Sequence, residues 1–102
     1  MAIKRSIHRT EIPIADSTTQ RLRGYRSALH VAPSRANPNT HIEIWYEMAD
    51  IDETSEVRFH VHGTGHRFDH HPLSTPYIGT VFTHGGRLVW HVYAENPLSE
   101  NL

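Results

Sequence analysis

Five histidines, His60, His62, His66, His70 and His71, fall within one short stretch of a chain that carries ten in all. Imidazole is a common nitrogen ligand for zinc and iron, and side chains two apart on a strand leave the same face. His60 and His62 could therefore offer two nitrogens and His66 a third. The carboxylate pattern argues against this, because Asp69 is the one acid close downstream and none is placed to orient both strand histidines. The preferred reading puts these side chains on a solvent face, His70 and His71 in a loop, with no cofactor. The metal set His60, His62 and His66 is the alternative. So many imidazoles make the surface charge responsive at about pH 6.

A second chemical feature is the turn Gly63-Thr64-Gly65-His66 at the end of the strand that closes on His62. Glycines there let backbone N–H groups approach an anion, with the Thr64 hydroxyl beside them and His66 adding charge when protonated. Tyr77 and Thr80 on the next strand add two hydroxyls. Trp45 lies in the outward phase of its strand, where an indole serves for stacking or contact. The expected ligand-binding set is thus Gly63, Thr64, Gly65, His66, Tyr77, Thr80 and Trp45.

Several chemistries are absent. There is no cysteine, hence no disulfide, thiolate nucleophile or cysteine-ligated metal. No Gly-x-Ser-x-Gly elbow and no phosphate-binding loop ending in Lys-Ser/Thr occurs, so no catalytic residue is assigned and the chain reads as a non-enzyme. A net charge of -1 lacks the basic footprint of a nucleic-acid binder. No run of 18 apolar residues occurs, so no membrane span is expected. Charge is nevertheless segregated: Lys4, Arg5, Arg9, Arg21, Arg23, Arg26 and Arg35 precede a stretch from Glu43 to Glu56 with no basic residue. Opposite patches of this kind suggest a dipolar molecule that pairs with itself, a homo-oligomer.

The elements that must position these groups are strands. Ile42, Ile44, Tyr46 and Met48 alternate with His41, Glu43, Trp45 and Glu47, and Val57, Phe59 and Val61 alternate with Arg58, His60 and His62. The two runs are expected to form a hairpin. Tyr77 to Thr83 and Leu88 to Ala94 form a second, joined through a turn whose paired Gly85-Gly86 suits positive φ, with Leu88, Trp90 and Val92 inward. Ile3 to Ile12 and Ser27 to Ala32 are weaker strands, and Ser17 to Leu22 is expected to be a short helical turn. The sum is an all-β fold of about six antiparallel strands in a small barrel or sandwich, with little helix. Residues 1–95 are expected to form a single domain and 96–102 a flexible tail.

Trp45-Tyr46-Glu47-Met48-Ala49-Asp50, Gly63-Thr64-Gly65-His66, Tyr77-Ile78-Gly79-Thr80 and Leu88-Val89-Trp90-His91-Val92-Tyr93 follow one another in this order. With them the chain resembles a family of small uncharacterised bacteriophage proteins, over about residues 3 to 94. The loops Pro33 to Thr40 and Arg67 to Pro76 depart from that pattern. The resemblance implies a setting, the cytoplasm of an infected bacterium, and no chemistry. The expected function is a phage accessory protein that binds a host protein or sequesters a small anionic ligand, for example a nucleotide. A metal protein or metal-dependent enzyme and a minor virion component are the alternatives.

Overall fold

The structure, a computed structural model, describes residues 2–97. Seven strands run in the order β1 (Arg5–Pro13), β2 (Ser17–Arg23), β3 (Tyr25–Pro33), β4 (His41–Ala49), β5 (Thr54–Gly63), β6 (Tyr77–Thr83) and β7 (Leu88–Ala94). They form two antiparallel sheets, β1-β4-β3 and β2-β5-β7-β6, with no helix among the described residues. The arrangement is a sandwich and not a closed barrel. Among the described residues no helix is long and apolar enough to cross a membrane.

Two expectations are corrected. Ser17 to Leu22 is a strand, not a helical turn, because Thr18, Gln20 and Leu22 point inward beside Phe59, Val57 and Ser55 of β5. The runs containing Ile42 and Phe59 do not pair as a hairpin either. β4 lies between β1 and β3, whereas β5 lies between β2 and β7 in the other sheet. Each has an apolar face that must be covered, and facing one another across the sandwich covers both at once.

The core is Ile12, Val31, Ile42, Ile44, Tyr46 and Met48 from one sheet against Leu22, Val57, Phe59, Val61, Val81 and Val92 from the other. On β7 the inward residues are Trp90, Val92 and Ala94, while Leu88 is exposed at the strand's start. On the open side of the sandwich β3 approaches β6 so closely that a Cβ on Gly79 would sit 2.9 Å from a Val31 methyl.

Charge segregation along the chain is used within one molecule. Arg5 pairs with Glu47, Arg9 and Arg35 with Glu43, Arg21 with Glu56 and Arg23 with Asp50. The acids sit on or beside β4 and β5, and the arginines on or beside the strands that flank them. Glu43, expected on the solvent face, is in fact buried at 1% exposure. Its Oε2 accepts from Arg9 at 2.8 Å, from the Arg35 backbone N–H at 2.9 Å and from Arg35 Nε at 3.2 Å. The Arg35 N–H, reinforced by the two guanidinium charges, outweighs burial and holds this carboxyl below the usual carboxylate range.

Two outcomes follow. Phe59 is fully buried, so Phe59→Ala should cost about 3–5 kcal/mol in urea unfolding with an unchanged m-value. A carboxyl depressed in the fold contributes stability above its ordinary range and loses it as pH falls. Melting curves should therefore decline below about pH 5, and Glu43→Gln should flatten that decline while lowering the melting temperature at neutral pH.

Candidate functional site

The outward face of the four-stranded sheet collects most of the residues singled out by type. Outward positions on β5 are Arg58, His60 and His62, and on β7 they are Val89, His91 and Tyr93. The register sets His62 beside His91 and His60 beside Tyr93, with Thr80 and Tyr77 of β6 beyond them. Tyr77 and Thr80 are three apart and would leave opposite faces of a regular strand. A bulge between Tyr77 and Gly79 adds one residue and turns both outward.

Three of the expected residues are joined by one that was not expected. His91 binds the Thr64 hydroxyl through Nε2 at 2.8 Å and the Thr80 hydroxyl through Nδ1 at 3.1 Å, and Thr80 in turn bonds the Tyr77 hydroxyl. This chain ties β6 and β7 to the turn after β5. In the turn the His66 N–H donates to the Gly63 carbonyl at 3.0 Å, and Gly65 takes φ +88. The His66 ring folds back over Gly63, so near that a Cβ there would sit 2.9 Å from it.

Gly63, Thr64 and His66 line one side of an open concavity of about 280 Å³, and Arg87, Leu88, Val89 and Trp90 line the rest. Its polar groups are a hydroxyl, an imidazole and a guanidinium, and its floor is apolar. Arg87, the last residue of the β6–β7 turn, supplies the fixed charge. Trp90 donates its indole N–H to Thr83 at 3.0 Å, which fixes the ring as floor. Trp45 does not join this site. It lies on the outer face of the three-stranded sheet, half-buried against His30 at a ring separation of 5.7 Å.

A second open concavity, of about 470 Å³, lies beside the first, lined by Asp16, Ser17, His60, His62 and residues His66 to His70. The alternative metal set does not assemble here. His60 turns to Glu95 at 3.1 Å, His62 to His70 at 3.0 Å, and His66 to Gly63. Among the described residues no three His, Asp or Glu side chains are grouped to hold a metal ion. His70, expected to be an exposed loop residue, is half-buried between His60, His62 and Tyr93, with Phe68 stacked flat on His62 at 4.2 Å.

His62 and His70 both titrate below the ordinary imidazole range. Burial is the main cause at His62, followed by the charges of His70 and His60, with Asp16 opposing. Burial again leads at His70, followed by His60, with Asp69 and Glu95 opposing. Both rings are thus neutral at pH 7.

Neither the curated proteins nor the solved structures offer a match to this chain. A family model described as a domain of unknown function, DUF7352, matches residues 3–101. The chain therefore belongs to the DUF7352 family.

Proposed function

We propose that this protein is a non-enzymatic binding protein that takes a small anionic ligand, such as a phosphate or a nucleotide, in the concavity beside the Gly63 to His66 turn. One observation carries the reading. Arg87, His66 and Thr64 line a single hollow, and a guanidinium, an imidazole and a hydroxyl suit the oxygens of phosphate or carboxylate. The floor of Leu88, Val89 and Trp90 favours a ligand with an apolar or aromatic part. The resemblance to small phage proteins adds a setting: such a binder would work in the cytoplasm of an infected bacterium, removing a signal or presenting it to a host protein. Self-association into a homo-oligomer belongs to the same reading, although many of the charges that suggest it also pair inside one chain.

Titration calorimetry with inorganic phosphate and a panel of mono-, di- and cyclic nucleotides tests this. At least one member should bind, and less tightly as salt screens the charges. Arg87→Ala and His66→Ala each remove a charge-assisted hydrogen bond worth roughly 1.5–3 kcal/mol, so affinity should fall about ten- to a hundredfold. No heat from any member of the panel, with a well-folded protein, would end the anion reading.

Two glycine variants separate site from scaffold. Nothing lies within 4 Å of a Cβ built on Gly65, but its φ of +88 disfavours a branched side chain. Gly65→Val should therefore lower the melting temperature as well as abolish binding. Gly63→Ala requires no positive φ and only displaces the His66 ring. Binding should weaken in that variant while the melting temperature stays close to wild type.

A further inference from the structure

The segment from Gly63 to Pro76 crosses the outer face of the four-stranded sheet like a strap. Its ends are tied by backbone: the Gly63 carbonyl accepts from His66 at 3.0 Å, while Pro76 and Ser74 carbonyls accept from Ala94 at 3.1 Å and Asn96 at 2.7 Å. Between those ends, residues 67–73 make no backbone-to-backbone hydrogen bond among the described residues. Rings hold the middle down. Phe68 lies flat on His62, and His70 packs on His60 at 4.8 Å, on His62 at 5.1 Å and on Tyr93 at 4.7 Å.

The decisive contact is His62 Nε2 to His70 Nε2 at 3.0 Å. A hydrogen bond between two ring nitrogens needs one that carries a proton and one that is bare. Among the described residues the buried His70 Nδ1 has no partner in another residue, so a proton placed there would be a poorly satisfied donor. The contact is therefore best served with His70 donating from Nε2 to a bare His62 Nε2. One added proton leaves an imidazolium donating to a neutral imidazole, so the contact survives it. The second leaves no bare nitrogen at the contact and sets N–H against N–H at 3.0 Å, between two like charges.

We propose that this segment is an acid-released strap, closed while His62 and His70 are both neutral and freed from the sheet between residues 67 and 73 when the pair takes up protons. Three acids near the pair favour its protonation, but burial and the neighbouring imidazoles outweigh them. Asp16 approaches from the β1–β2 connection, Asp69 from the strap itself, and Glu95 is engaged by His60 at 3.1 Å. Arg67 lines the same hollow with like charge and His66 lowers His62 further, while Tyr93 and His91 face the pair from β7. The lowered titration of both rings has the sign this requires. An imidazole depressed in the closed form favours closure above the ordinary imidazole range and loses that preference as pH falls through its depressed value. With two protons taken up, the open-to-closed ratio rises by up to about a hundredfold per pH unit.

The test is nuclear magnetic resonance of the ligand-free full chain between pH 8 and pH 4.5, following ring-to-ring contacts of Phe68 with His62 alongside the amides of β5 and β7. It makes no use of the Arg87 concavity, so its result is independent of the anion reading. The Phe68–His62 contacts should vanish in one step below about pH 6.5 while the strand amides keep their native shifts. His70→Phe, which retains a ring but cannot titrate, should stay closed at least one pH unit further into acid. His70→Ala should be open throughout. Persistence of the wild-type contacts at pH 4.5, release of His70→Phe at the wild-type midpoint, or loss of strand amides in the same step would each overturn the proposal.

Discussion

Gly24 is where one extended stretch of chain leaves one sheet and enters the other, and the sandwich depends on how tightly the backbone packs there. Its N–H donates to the Glu53 carbonyl ahead of β5, and its carbonyl accepts from the Ala49 N–H at the end of β4. A Cβ at this position would lie 2.1 Å from the Ala49 carbonyl oxygen, and its φ is +67. Both the space and the conformation demand glycine. Because β2 and β3 part at this corner, β2 is free to pair with β5 while β3 pairs with β4. The chain from Asp50 to Glu53 makes a second crossing beside it, so the two corners brace each other.

Once those crossings are fixed, the charge order of the sequence acquires a structural meaning. Arginines early in the chain and acids in the middle are complementary strands read in succession, β1 and β2 against β4 and β5. Arg5 with Glu47, Arg9 with Glu43 and Arg21 with Glu56 are cross-strand or diagonal neighbours, and such pairs favour their register over a slipped one. Most of these pairs are exposed and contribute little individually. Glu43 differs because it is buried, and one carboxylate oxygen gathers β1, β4 and the start of the β3–β4 loop around itself. Its other oxygen, Oε1, is buried without a partner, which marks the site as one of specificity more than of maximal stability.

Period-two alternation exposed β4 to β7 because each has a strongly apolar face, and Gly85-Gly86 exposed the turn between the last two. The same signal failed for β2, whose inward residues Thr18 and Gln20 are polar and whose pairing comes from its neighbour. It also failed at Glu43, where alternation assigns a face but cannot tell that two arginines will close over it. In the candidate site, the Gly63 to His66 turn was legible from glycine chemistry, and Thr80 and Tyr77 from their proximity in sequence. His91 was hidden because its outward phase on a core strand reads as a plain surface position, and Arg87 because it reads as a turn residue. Trp45 was read correctly as partly exposed, but single-strand periodicity does not say which sheet a strand joins. His70 could not have been placed at all, since a loop carries no period.

The two hollows on the outer face share a wall, and the wall is His66, which lines both. Its position is set from one side by Gly63 beneath its ring and from the other by the strap that begins at the next residue. His62, which receives the strap, is the cross-strand neighbour of His91, which grips Thr64 in the turn. A movement of residues 67–73 therefore acts on the turn by two routes, through the chain and through the paired strands. If an anion settles against His66 and Arg87, its affinity must differ between closed and open strap to the extent that His66 is displaced. Linkage makes the effect mutual, so that the same occupant shifts the strap by an equal free energy. On the proposed reading, a dense cluster of imidazoles on an otherwise neutral protein is more than a polar coating, because it would let proton concentration and an anionic ligand act on one short segment of chain.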